Sequence, residues 1–189
     1  MLITISGLPG SGKTTVARLL SQRWRVPHIY AGDLFRKEAV EHGLTLAQFN
    51  ELAERDHTID RQLDAKMAAY ARRGGVVLEG RLAGFVAVQE HADALKVWLT
   101  ASDEVRAQRV SQREGKDSAT VLQLNGARHR SDAKRYLEIY GFNLYDTSLY
   151  DVVLNSDHLG PEALAEQILA RAAERFGPEA ARTRHDEPE

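Results

Sequence analysis

Gly7-Leu8-Pro9-Gly10-Ser11-Gly12-Lys13-Thr14-Thr15 decides the reading of this chain. Its spacing is G-x-x-x-x-G-K-[ST], the pattern of a loop that wraps a polyphosphate. A polyphosphate brings several negative charges that must be met without water, and backbone N–H groups turned inward by a glycine-rich curve meet them with little reorganisation. The flanks agree with this. Met1 to Ser6 is short and aliphatic, with Ile3 and Ile5 suited to a buried strand, and Thr14 to Arg25 carries Val16, Leu19, Leu20 and Trp24 at helical spacing. The loop therefore joins a strand to a helix. In that setting the amides of Gly7 to Thr15 face the phosphates and the helix start adds its partial positive charge. Lys13 reaches the β and γ groups, and the Thr14 hydroxyl is placed to ligate Mg²⁺. Binding of a nucleoside triphosphate, ATP with Mg²⁺, is expected.

At 189 residues the chain has the size of one domain, with enough aliphatic content for a core. The absence of cysteine excludes disulfides and thiolate chemistry, and a formal charge of −2 argues against a broad nucleic-acid surface. No apolar run approaches the ~18 residues of a membrane span. Met1 leads straight into the first strand candidate, without a basic segment and a removable apolar stretch, so a cytoplasmic monomer acting on small molecules is expected. Arginine outnumbers lysine about three to one, which fits bidentate clamps for phosphate or carboxylate and equally a GC-rich genome. Each arginine must therefore be argued from its neighbours. Gly177-Pro178 closes the last helical pattern, so the domain is expected to span 1–176 and the charged remainder, 177–189, to be a disordered tail.

Four further strand candidates follow the first: Pro27 to Ile29, Val76 to Glu79, Leu95 to Leu99 and Val152 to Leu154, separated by helical stretches. Runs such as Val76-Val77-Leu78 are apolar on both faces, as in a parallel sheet covered by helices on each side. The expected fold class is a three-layer α/β domain. From about 33 to 73 helical patterns continue without a strand, which predicts a helical insert beside the cleft that selects the substrate. The polar stretch from about 113 to 132, with Gly115, Lys116, Asp117 and Asn125-Gly126 among arginines, is a candidate lid.

Ligands of parallel α/β sheets gather beyond the carboxyl ends of the strands. After the second strand comes Tyr30-Ala31-Gly32-Asp33-Leu34-Phe35-Arg36, where Asp33 either caps a helix or contacts a ligand and Arg36 is a candidate for a phosphate. After the third comes Glu79-Gly80-Arg81-Leu82-Ala83-Gly84. A carboxylate at the end of a buried strand beside the loop is where a partner of Mg²⁺, acting through water, would lie, with Arg81 turning into the cleft. The alternative is a buried Glu79–Arg81 pair. After the fourth, Arg106, Arg109 and Arg113 recur at three- and four-residue steps on a helix. They form either a phosphate-facing row or a solvated stripe paired with Glu104 and Glu114. Asp56, Asp60 and Asp64 recur every four residues in the insert and read as a wet surface.

Taken together, these segments resemble the archaeal-type cytidylate kinases, a branch of the P-loop nucleoside monophosphate kinases. The resemblance runs through Gly7 to Thr15, Ala31 to Arg36, Ala53 to Asp56 with Ile59-Asp60, Leu78 to Gly84, Lys96 to Leu99, Arg109, Arg113-Glu114, Arg135-Tyr136, Tyr140-Gly141 and Tyr150-Asp151. It implies the P-loop nucleoside triphosphate hydrolase fold, with a monophosphate-binding insert and a lid. It also implies transfer of the γ-phosphoryl group of ATP to CMP or dCMP with Mg²⁺ present, in pyrimidine nucleotide metabolism. By the same resemblance Lys13 and the loop amides hold ATP, while Asp33, Arg36, Arg81 and Gly84 address the monophosphate. Arg109, Arg113, Arg128 and Arg135 then gather around the transferring group. The chain departs from the family pattern at His129 and Asp132, where glutamates are usual, and at Phe85, where tryptophan is common. Two rival functions use the same loop: a small-metabolite kinase acting on a shikimate- or gluconate-like alcohol, and a nucleotide switch that binds without transfer. The Asn-Lys-x-Asp run of guanine-specific switches does not occur.

Overall fold

Alternating short apolar stretches and amphipathic helices build a parallel α/β sandwich in the computed structural model, which describes residues 1–115 and 117–178. The chain runs β1 (Leu2–Gly7), α1 (Lys13–Trp24), β2 (His28–Tyr30), α2 (Ala31–Glu41), α3 (Leu46–Arg55), α4 (Thr58–Arg73), β3 (Val76–Glu79), α5 (Ala83–Gln89), β4 (Ala94–Thr100), α6 (Asp103–Glu114), α7 (Ser118–Tyr140), β5 (Val152–Asn155) and α8 (Pro161–Phe176). Among the described residues the sheet has five strands in the order β2-β3-β1-β4-β5, and every pairing is parallel. Each expected strand lies within one or two residues of its observed bounds.

The two faces of the sheet follow from the period of two in its central strands. On one side Ile3, Ile5, Val77, Val97 and Leu99 pack against Val16 and Leu20 of α1 and Leu164 and Ile168 of α8. On the other, Leu2, Leu78 and Trp98 meet Met67 and Ala71 of α4, Val86 of α5, and Phe142 and Tyr150. The parity that sends Val77 toward α1 sends Glu79 there too. Gly84 lies inside this second layer, which corrects its expected role in holding substrate. Its amide donates to Ser6 Oγ at 3.1 Å, and a Cβ at its position would come within 2.4 Å of the Tyr150 ring. It is a close-packing residue of α5.

The stretch expected to be a helical insert consists of α2, α3 and α4; Phe35 and Ala39 of α2 and Phe49 and Ala53 of α3 form a small core, against which Ile59 and Leu63 of α4 pack. A capping box between Thr45 and Gln48 starts α3. The polar stretch from 113 to 132 is also mostly helical. Gly115 ends α6 in the left-handed region, Asp117 caps α7 by accepting from the Thr120 amide at 2.9 Å, and Asn125-Gly126 lies within α7. Val121 packs on Ala107 and Val110, which holds the start of α7 on α6. Lys116 and residues 179–189 lie outside the described residues, and with them nearly all of the expected tail. Among the described residues no helix is long and apolar enough to cross a membrane.

The aspartates of the insert are not a wet face. Only Asp56 is fully at the surface, where it accepts from the Thr58 amide at 2.9 Å and the Thr58 hydroxyl at 2.6 Å. Asp60 is 4% exposed, and Asp64 is half-buried against the Tyr140 hydroxyl, which donates to it. Burial pushes the Asp64 carboxyl up to about 6; the Tyr140 hydrogen bond opposes the rise and the nearby Asp60 charge adds to it. Burial and the same carboxylate push the Tyr140 hydroxyl well above its usual range, so it stays a donor. The raised carboxyl makes the folded state bind its proton more tightly than the unfolded chain does, so the contribution of Asp64 to stability is greatest in acid and declines as pH rises from about 4 to about 6. Relative to Asp64→Asn, which keeps an acceptor for Tyr140, the wild type should lose up to about 3 kcal/mol across that interval and nothing further above pH 7. Urea unfolding of both proteins at a series of pH values measures this; a constant difference would contradict it.

Candidate active site

The phosphate-loop sequence folds as a curve whose outer edge is gripped by α6. Gly7 and Gly10 have φ of 144° and 84°, in the region that favours glycine. A Cβ would sit 2.2 Å from the Leu99 carbonyl oxygen at Gly7 and 2.5 Å from that of Arg106 at Gly10. Arg106 donates to the Pro9 carbonyl at 3.3 Å and to the Ala101 carbonyl at 3.3 Å, and is ion-paired with Asp103. Arg109 donates to the Gly10 carbonyl at 3.3 Å, and to Ser156 at 2.9 Å (Oγ) and 2.6 Å (carbonyl). Ser156 Oγ in turn donates to the Ser11 carbonyl at 3.0 Å. Across a trans peptide the N–H opposes the preceding carbonyl. With the Pro9 and Ser11 carbonyls engaged on the α6 and β5 side, the Gly10 and Gly12 amides point the other way, toward the mouth of the loop.

This corrects the role expected for Arg109, which braces the back of the loop instead of facing a transferring group. The physical reason is reach: its guanidinium spans from Gly10 to Ser156 and makes three hydrogen bonds there. Arg113, one turn on, is exposed and pairs with Glu114 at 3.0 Å, as the solvated-stripe alternative has it. Arg106, the first arginine of that row, belongs to the loop's support, one turn before Arg109 on α6.

At the inner edge, Lys13 Nζ donates to the Leu8 carbonyl of its own loop at 2.8 Å. Thr14 Oγ1 donates to Glu79 Oε1 at 2.7 Å, and the other oxygen, Oε2, lies 2.9 Å from His28 Nε2. Glu79 is 0% exposed. A hydroxyl whose proton is committed to a buried carboxylate presents its lone pairs outward, so Thr14 and Glu79 form a donor set suited to a hard divalent cation. The expected alternative, a Glu79–Arg81 pair, does not form, because Arg81 is ion-paired with Asp132. Asp33 does not cap α2: the N-cap is Tyr30, and the Asp33 carboxylate accepts from Arg36. The Arg36 guanidinium lies 5.1 Å from the centre of the Tyr30 ring, and that ring is stacked on His28.

Beyond Arg81 is a buried ionic lattice. Asp132, 2% exposed, pairs with Arg81 and accepts from Arg135 at 2.9 Å. Arg135, 5% exposed, donates through Nε to Asp60 at 3.0 Å and through a terminal nitrogen to Ser131 Oγ at 3.1 Å. The lattice joins α4, α7 and the turn after β3. A cavity of about 40 Å³ beside it is lined by Ala31, Asp60, Asp64, Met67, Arg81 and Tyr136. A larger hollow of about 220 Å³ lies within the insert, but none of its lining residues belongs to the loop or the lattice. The three departures from the family pattern have distinct surroundings. Asp132 is a lattice member, and Phe85 packs on Tyr140 and Phe142. His129 stacks on Tyr145, its pKa lowered by burial and then by the charges of Arg81 and Arg106. Arg128 belongs to α7, and its side chain lies outside what the structure describes.

Known proteins resemble this chain in sequence and in fold. The model of the cytidylate kinase-like family matches residues 2–158. The cytidylate kinase of Halobacterium salinarum is 46% identical over 170 residues, which cover 89% of this chain and 88% of that protein. That of Methanopyrus kandleri is 46% identical over 163 residues, covering 82% and 84%. Among solved structures, shikimate kinase from Bacteroides thetaiotaomicron superposes with a TM-score of 0.62 at 15% identity, covering 90% of this chain and 97% of its own. A gluconokinase from Sinorhizobium meliloti gives 0.59 at 19% identity, with 94% and 95% covered. At such identities the likeness speaks to the fold, that of the P-loop kinases. The family match, by contrast, extends from β1 through β5, and the chain belongs to the cytidylate kinase-like family.

Proposed function

We propose that the protein is a cytidylate kinase, transferring the γ-phosphoryl group of ATP to CMP or dCMP to give CDP or dCDP and ADP. The observation that carries this reading is the closeness in the fold of two differently charged sites. Arg81 follows two residues after Glu79, and Glu79 holds Thr14 at the start of α1. A cationic clamp for an acceptor phosphate thus sits on the same rim as the loop for the donor. An acceptor that bears a phosphate needs that clamp, whereas the loop alone would serve a phosphate-free alcohol.

In this reading the loop Gly7 to Thr15 holds the triphosphate through its open backbone amides, and Lys13 exchanges the Leu8 carbonyl for the β and γ oxygens. Arg36, Arg81 and Asp33 address the monophosphate nucleotide, within an insert formed by residues 33–73. Arg135 keeps Asp132 and Asp60 in place around Arg81. Arg113 and Arg128 lie in the 113–132 segment, which closes over the pair of substrates and keeps water from consuming ATP. The Thr14 hydroxyl and, through water, Glu79 would hold Mg²⁺, which would supply charge neutralisation for the triphosphate when bound. Phosphoryl transfer passes through a loose transition state whose charge is spread over oxygens, so placed donors suffice and no covalent nucleophile is required. The enzyme acts as a cytoplasmic monomer of one kinase domain, 1–176, without nucleic acid or membrane.

ADP release measured with ATP, Mg²⁺ and a panel of AMP, CMP, dCMP, GMP, UMP, shikimate and gluconate tests the reading. CMP and dCMP should be the preferred acceptors. Turnover of shikimate or gluconate alone, or binding of ATP with turnover of no acceptor, would overturn it. Lys13→Met should lower kcat by about 10²- to 10³-fold, in line with the ~3–4 kcal/mol of one preorganised donor. Unchanged turnover in that variant would remove Lys13 from the reacting site.

A further inference from the structure

We infer that His28 is a positioning residue for the cation that accompanies the triphosphate. This rests on the kinase reading above and adds to it a residue of β2 that lies behind Glu79. A carboxylate with no solvent contact must have its oxygens satisfied by the protein, and its charge needs a partner. Glu79 has one hydrogen-bond partner on each oxygen: Thr14 on Oε1 at 2.7 Å and His28 on Oε2 at 2.9 Å. With Glu79 Oε2 as the acceptor, His28 Nε2 carries the proton that lies between them. The two bonds together fix the plane of the carboxylate. That plane sets where the Thr14 hydroxyl proton points, and the proton sets where the Thr14 lone pairs are offered.

His28 is itself held. In the β2–β3 register it lies opposite Val77, and Tyr30 lies opposite Glu79, so the imidazole crosses diagonally to the carboxylate. Its ring is parallel to that of Tyr30 within 9° at 6.2 Å, and Arg36 covers the Tyr30 ring. Without His28, one oxygen of a buried carboxylate loses its donor, and the side chain is free to turn away from Thr14. Loss of such a partner behind a ligand costs about 10- to 100-fold in metal affinity.

The test is calorimetric titration of the full chain with ATP, in EDTA and at a series of Mg²⁺ concentrations, for wild type, His28→Ala and His28→Gln. His28→Ala should bind ATP in EDTA as the wild type does, yet need about 10- to 100-fold more Mg²⁺ for the tighter complex. His28→Gln, whose side-chain amide supplies a donor of similar reach, should recover most of the loss. If His28→Ala does not fold, His28→Asn, whose shorter amide does not reach Glu79, replaces it with the same expected loss. Wild-type Mg²⁺ dependence in the alanine or asparagine variant would overturn the inference. So would an equal loss of ATP affinity with and without Mg²⁺, the mark of a merely structural role. A wild type whose ATP binding ignores Mg²⁺ would instead overturn the cation site itself, and His28's role with it.

Discussion

Glu79 is a carboxylate with no solvent contact, set at the carboxyl end of β3 and bonded to the first turn of α1. Burying an ionised group costs several kcal/mol unless hydrogen bonds and a counter-charge offset it. The fold meets that demand with two side chains distant in sequence, Thr14 and His28, and so joins three consecutive pieces of the sheet's working edge. The parity of β3 makes the contact possible. Val77 and Glu79 face the same side, so the strand that fills the α1 layer with a valine also delivers a carboxylate to the base of the phosphate loop. A one-residue slip of β3 would turn Glu79 to the opposite face and bring Leu78 under Thr14.

The ionic lattice around Arg81 follows a similar logic. Arg81 and Arg135 are balanced by Asp132 and Asp60, so the group is neutral as a whole while each member is largely withdrawn from water. Apolar side chains of the same volume hold helices together as well as such a group, or better. Stability alone therefore does not account for four ionised groups at the meeting point of α4, α7 and the turn after β3. The proposed site for a phosphorylated acceptor would account for the two guanidiniums, which the two carboxylates keep placed and paired.

The strands and the loop were legible because their signals are local. Apolar runs bounded by glycine and polar residues mark β1, β3 and β4, and the glycines at 7 and 10 announce backbone that other residues strain to adopt. What could not be read was which way a marked face turns. Four-residue spacing predicts one shared helix face for Asp56, Asp60 and Asp64, but Asp56 ends α3 in extended backbone, and whether Asp60 and Asp64 on α4 meet water or α7 depends on contacts that span 75 and 76 residues of sequence. The same limit applied to Arg109: its spacing with Arg106 and Arg113 defines a stripe, and the tertiary arrangement divides it between loop carbonyls and solvent. The His28–Glu79 contact crosses from β2 to β3, separated by the whole insert, and only the parallel register brings the two residues together.

The division of that arginine stripe has a mechanical consequence. On one face of α6, Arg106 and Arg109 hold the carbonyls of Pro9 and Gly10; on another, Ala107 and Val110 receive Val121 of α7. The phosphate loop and the base of the 113–132 segment are thus attached to the same short helix. Loop geometry is set from behind, by donors that spend their hydrogen bonds on carbonyls and leave opposed amides for a ligand. A lysine in place of Arg106 could not reproduce this, because its single ammonium lacks the planar fork that reaches Pro9, Ala101 and Asp103 together. The abundance of arginine over lysine along this helix therefore has a structural reason at Arg106 and Arg109, where one side chain must serve several fixed acceptors. At Arg113, where the guanidinium meets the neighbouring Glu114 at the surface, these contacts show no such reason.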